Sequence, residues 1–162
     1  MVQIDRLETT EGSRLREVRL CALADSPDAF GQTFEAARVC TPEDWTQQAG
    51  DLPTFVAVVD GEDAGMVRCC RDRTDASTAW LLSMWVAPAS RRRGVGSRLV
   101  GEVVGWARAQ GCRRILLEVA DENRPAIALY ASHGFAPNGG VGSLPPPRDH
   151  ILEHQRELRL DS

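Results

Sequence analysis

The chain has 162 residues, 43% hydrophobic and 26% charged, which suits one globular domain spanning 1–162 with a substantial core. Its formal net charge of -4 argues against binding nucleic acid. No apolar run approaches the ~20 residues of a membrane span, and Met1 to Arg6 has no signal-peptide pattern. A cytoplasmic protein without membrane contact is therefore expected.

None of the 19 basic residues is a lysine. Five cysteines (Cys21, Cys40, Cys69, Cys70 and Cys112) form an odd set with no C-x-x-C spacing. Cys69 and Cys70 would point to opposite faces of a strand, so reduced structural thiols are expected.

Val2 to Leu7 alternates apolar and polar residues as an edge strand does. Thr9-Thr10-Glu11 starts a helix whose stripe of Leu15, Val18, Ala22 and Leu23 runs to about Ala24, before Asp25-Ser26-Pro27-Asp28 breaks it. Phe30 to Phe34 carries no clear signal. At Thr41-Pro42-Glu43-Asp44 an N-cap threonine, a proline at the first helical position and two acids open a second helix, with Gly50 as its expected stop.

Phe55 to Val59 and Ala64 to Arg71 read as two strands of a hairpin around Asp60-Gly61-Glu62-Asp63. Ala79 to Val86 is the most apolar strand and hence central. After it, Leu99, Val100, Val103, Val104 and Ala107 share one helical face, with Gly111 closing the helix. Ile115 to Val119 is a strand, and Asn123 caps a helix with Pro125 in its first turn, closed by His133-Gly134-Phe135.

Gly139 to Gly142 and Pro145 to Pro147 read as a long irregular connection before a last strand, Leu152 to Leu160. The coarse order is β-α-α-β-β-β-α-β-α-β-β, a mixed α/β chain without repeats or linkers.

Chemistry concentrates at Val86 to Ser97, where an apolar strand stops and a helix starts. Such a junction aims several backbone N–H groups, with the helix dipole behind them, at one spot. Arg91, Arg92 and Arg93 beside Gly94, Val95 and Gly96 make that spot a candidate pyrophosphate cradle. A P-loop would need a lysine, and a Rossmann fingerprint a third glycine where Leu99 stands. What fits is [R/Q]-x-x-G-x-[G/A] after a V-x-P strand end, with Arg91, Gly94 and Gly96.

In this turn, in Ser83 to Pro88, and in Asn123-x6-Tyr130 followed by Gly134-Phe135, the chain resembles the GCN5-related N-acetyltransferase (GNAT) superfamily. The likeness is close over about Leu81 to Phe135 and loose elsewhere. It implies an acyl-CoA N-acyltransferase fold, a mostly antiparallel mixed sheet flanked by helices, with its cofactor-binding core at about 80–135. It implies acetyl-CoA as co-substrate and an amine as acceptor. Amides from Arg92 to Ser97 would wrap the pyrophosphate, and Met84, Trp85 and Val86 would splay from the next strand to receive the pantetheine. Asn123 would touch the pantetheine or a water, and Tyr130 would sit by the sulfur.

Each residue also has a plainer reading: a solvated charge run for the arginines, an N-cap for Asn123, and a core aromatic for Tyr130.

By the same resemblance Tyr130, the only tyrosine, is the general acid. The base stays open between Glu118, Glu35, Asp28, a water held by Ser83, and a water chain. The acceptor walls are expected from Ser26 to Gln48 and Gly139 to Asp149, with Trp45 and Trp85 as possible lining. His150 and His154 have the spacing of a helical metal pair, but a strand is expected there and no metal is. A non-catalytic acyl-CoA sensor on the same fold is the alternative, and a monomer or homodimer fits either.

Overall fold

The computed structural model describes residues 1–160. Strand β1 (Val2–Arg6) pairs with β2 (Thr54–Val59), and β2 turns through Asp60 and Gly61 into β3 (Glu62–Arg71). Both turn residues have positive φ (53° and 83°), as a two-residue hairpin with right-handed strand twist requires. Strand β4 (Thr78–Val86) completes an antiparallel meander.

The chain continues through helix α4 (Val95–Ala109), β5 (Arg114–Ala120), helix α5 (Arg124–Ser132), β6 (Ala136–Ser143) and β7 (Leu152–Arg159). The sheet order is β1-β2-β3-β4-β5-β7-β6, with only β4 and β5 parallel. The expected mixed, mostly antiparallel sheet flanked by helices is what forms.

Helix α4 lays Val95, Leu99, Val100, Val103 and Ala107 on one face of the sheet, against Ala79, Leu81, Ile115 and Leu117. The other face of β2–β4 is covered by helices α1 (Gly12–Asp25), α2 (Phe34–Arg38) and α3 (Pro42–Asp51), where Leu15, Leu23 and Trp45 meet Val56, Met66 and Trp85. Each fully buried aliphatic chain contributes about 1.5–3 kcal/mol. A Cβ on Gly12 would lie 2.8 Å from the Thr46 amide nitrogen, so the close crossing of α1 over α3 needs a glycine there.

Three expectations are corrected. Helix α3 opens at Thr41 with a reciprocal Thr41–Asp44 capping box as read, but runs through Gly50 to Asp51. Between the breaker at Asp25 and α3 lies the short α2, whose cap is Thr33 accepting from the Ala36 N–H; five residues are too few to show a period.

Gly139 to Gly142 belong to β6, not to an irregular connection; Val141, Gly142 and Ser143 face His154, Glu153 and Leu152 of β7. Glycine's weak strand propensity hides this edge strand. Packing explains the composition, since a Cβ on Gly140 would fall 2.8 Å from Gln155 Cβ.

Candidate active site

β4 and β5 pair at only three positions, Thr78 with Arg114, Ala79 with Ile115, and Trp80 with Leu116. From Leu81 onward the β5-facing edge of β4 has no strand partner, and the two strands diverge toward their carboxyl ends. On its other edge β4 bulges: Met66 faces Trp85 and Arg68 faces Leu82, so Val67 alone spans Ser83 and Met84. Ser83 absorbs the extra residue at φ 57°. Nothing in the sequence marks that serine as left-handed.

Beyond β4, a 3-10 turn at Pro88–Ser90 leads to the Arg/Gly segment. Arg92 and Gly94 have positive φ (63° and 79°), and α4 starts after Gly94 without a side-chain cap. The N–H groups of Arg92, Arg93 and Gly94 find no acceptor among the described residues. Together with the first turn of α4 they form a concave row of free donors at the positive end of a 15-residue helix. Gly96 lets α5 close in, because a Cβ there would stand 2.8 Å from Leu129 Cδ2 and 3.8 Å from Val86 Cγ2. Ser97 Oγ is 2.8 Å from His133 Nε2.

The arginines divide in role. Arg91 folds back, donating from Nε to the Val86 carbonyl at 3.0 Å and from Nη2 to Asp25 at 2.7 Å. Arg93 lies 3.6 Å from Asp60. Arg92 forms no ion pair among the described residues.

Asn123 is the N-cap of α5, its side chain accepting from the Ala126 N–H at 3.4 Å. About two turns on, Tyr130 is buried and packs edge-on against Phe135 at 5.9 Å. Its hydroxyl makes no hydrogen bond among the described residues, and burial pushes the phenol above its usual pKa.

A cleft of about 370 Å³ runs through the gap between the strands. Met84, Asn123, Tyr130 and Glu118 all line it. Trp85, Val86 and Arg91 to Ser97 do not line it; they follow Met84 along the chain to the α4 N-terminus. On the side of α1 the lining is Arg19, Phe30 and Gly31.

Of the segments expected to wall the acceptor, Ala29 to Gly31 line this cleft and no residue from 139 to 149 does, while Glu153 on β7 lines it. From that segment Arg148 instead staples the walls, donating to the Pro27 and Gly31 carbonyls at 2.6 and 3.0 Å. Trp45 and Trp85 are core residues outside the cleft. His154 sits on a strand with Nδ1 against Asp121, so helical metal-pair spacing does not apply.

Sequence reasoning missed Glu153 and Arg19. Glu118 is exposed and Glu153 half-buried. Burial, then the Glu118 charge, holds the Glu153 carboxyl above its usual value. Cross-strand register alone brings the two acids together, Glu118 opposite Gln155 and Glu153 opposite Ala120. No motif spacing announces them.

The family model described as Acetyltransferase (GNAT) family matches residues 19–135. Mycothiol acetyltransferase of Beutenbergia cavernae is 31% identical over 140 residues, covering 82% of this chain and 46% of that protein. Streptothricin acetyltransferase of Streptomyces lavendulae is 33% identical over 135 residues, covering 79% of this chain and 65% of the relative. The chain thus spans about half to two thirds of the length of these relatives. The structure of yncA from Salmonella typhimurium with its cofactor acetyl-CoA superposes with a TM-score of 0.80 at 18% identity, covering 100% of this chain and 95% of that one. Among the described residues no helix is long and apolar enough to cross a membrane.

Proposed function

This chain belongs to the acetyltransferase (GNAT) family, and we propose that it transfers the acetyl group of acetyl-CoA to a primary amine by direct attack on the thioester. The observation that carries this reading is the unpaired edge of β4 beyond Trp80, with buried Tyr130 lining the gap and the free amides of Arg92 to Gly94 at its end. Residues 1–162 act as one transferase domain with its cofactor-binding core at about 80–135.

The residues fit the co-substrate's chemistry. A row of uncapped N–H groups at a helix N-terminus suits a pyrophosphate, and Arg92 and Arg93 add charge beside it. The open edge of Met84 to Val86 offers strand-like hydrogen bonds to amides of a pantetheine arm. Asn123 keeps its cap bond while presenting its amide side chain to the same cleft.

Bound acetyl-CoA supplies an activated acyl carbon and a thiolate leaving group. The backbone N–H near Val86 polarises the thioester carbonyl. The acceptor must first lose its extra proton, since an alkylamine has a pKa of about 10.4. Glu118, directly or through water, is the carboxylate in the cleft that takes it. As the C–N bond forms and the C–S bond breaks, Tyr130 passes its proton to the departing sulfur. The nitrogen's remaining surplus proton leaves through water, and solvent reprotonates Tyr130. Burial keeps the phenol protonated at neutral pH, so it enters each turnover as a donor.

The test is thiol release from acetyl-CoA across a panel of primary amines, with the acetylated product identified by mass. Amine-dependent release is expected. Tight coenzyme A binding without release from any amine would instead support a sensor.

A further inference from the structure

One wall of the cleft holds a cation that no carboxylate pairs with among the described residues. Arg19, on α1, lines the cleft beside Phe30 and Gly31. Its Nε donates to Gln32 Oε1 at 3.1 Å, and its Cζ lies 4.8 Å over the Phe30 ring. Its Nη1 is fully buried and has no hydrogen-bond partner among the described residues. No carboxylate forms an ion pair with it among the described residues. Burial, then the like charge of Arg68, lowers its pKa to about 10. A desolvated guanidinium without a counter-ion is costly, and such groups are normally paired.

Across the same cleft stand Glu118 and Glu153, with Trp80 on the strand between the two charged walls. The cleft therefore presents a positive end at α1 and a negative end at β5 and β7.

We infer that the acceptor is a small amphoteric amine carrying an anionic oxyacid group, and that Arg19 receives that group while the amine lies toward Glu118 and Glu153. This rests on the transferase reading above and names its substrate class. A guanidinium nitrogen donates charge-assisted hydrogen bonds to a carboxylate or a phosphonate oxygen. Phe30 backs the guanidinium, Gln32 takes its Nε, and Nη2, which makes no hydrogen bond among the described residues, is the nitrogen left to meet the ligand. Cationic polyamines and neutral amines leave Arg19 unpaired and are disfavoured.

The experiment compares matched acceptors: free amino acids, their methyl esters, the decarboxylated amines, and aminoalkylphosphonates. The readout is kcat/KM for thiol release. A charged hydrogen-bonded contact corresponds to about tenfold to hundredfold in kcat/KM. The wild type should prefer an anionic acceptor over its ester by that factor, with the phosphonate arm telling which oxyacid is taken. Arg19→Met should lose the preference through a raised KM for the acids, and bind coenzyme A unchanged.

Equal rates on acid and ester, or an equal loss on both in Arg19→Met, would overturn the assignment while leaving the transferase reading intact. If no amine turns over, calorimetric titration of the same amino acids and phosphonates into the coenzyme A-bound wild type still decides. Binding of the acids but not the esters supports the Arg19 pocket, and binding of neither refutes it. Those wild-type measurements need no variant to fold.

Discussion

Asp25 and Arg91, sixty-six residues apart, meet at 2.7 Å, and the same Asp25 Oδ2 accepts the Trp85 indole N–H at 2.9 Å. One carboxylate at the end of α1 thus grips both the last residues of β4 and the first of the Arg/Gly turn. Arg91 completes the knot through the Val86 carbonyl. The first arginine of the motif is a positioning residue for the turn as much as a source of charge.

Asp25→Ala should therefore act at a distance on acetyl-CoA. Removing the acceptor leaves the buried Trp85 N–H unsatisfied, at a cost of about 1–3 kcal/mol. The half-exposed Arg91 pair adds little. A loosened turn should raise the KM for acetyl-CoA roughly tenfold with a smaller change in kcat.

The Trp85 and Ser26 hydrogen bonds, then Arg91, hold the Asp25 carboxyl below the usual aspartate range. Its contribution is thus full above the unfolded value of about 3.9 and lost as pH falls through the depressed one. Thermal melts of variant and wild type should differ at about pH 7, and the charge-dependent part of that difference should shrink as pH falls through the depressed value.

Gly94 carries φ 79° with open space around a hypothetical Cβ. Gly94→Ala should thus suffer from backbone strain alone, about 1 kcal/mol, or about 3 °C in Tm. The larger effect should fall on acetyl-CoA, because the free amides of Arg92 to Gly94 lose their concave arrangement. Calorimetric titration of coenzyme A should show weaker binding, and kcat at saturation should change little.

Glu153→Gln tests the acidic end of the cleft. Burial and the Glu118 charge raise the Glu153 carboxyl's pKa, so the folded state holds this proton more tightly than the unfolded chain. The ionised side chain therefore costs stability above its folded pKa, and the cost vanishes below the unfolded value of about 4.3. The variant should melt higher than the wild type near pH 7 and at the same temperature near pH 3. An equal shift at both would mean the amide packs differently rather than relieving charge.

Legibility in the sequence followed locality. The strand end at Val86, the turn through Gly96, the Asn123 cap and Tyr130 lie within fifty residues, and caps, glycines and helical stripes each state their purpose there. Arg19 and Glu153 come together only through packing, α1 from one side and β7 from the other, so no spacing reveals them. The β6 glycines misled because strand formation there depends on the partner β7 and on close backbone approach at Gly140, neither visible locally. Ser83 reads locally as a water holder, yet its left-handed bulge arises from the β3 register.

The most direct measurement is amine-dependent thiol release by Tyr130→Phe beside the wild type, with coenzyme A affinity and Tm measured on the same samples. The Tyr130 hydroxyl makes no hydrogen bond among the described residues, so folding and coenzyme A binding should be nearly unchanged. Loss of a general acid should lower kcat about 10²-fold. Full kcat in a folded, coenzyme A-binding Tyr130→Phe would contradict the assignment of Tyr130 as the acid that completes the transfer.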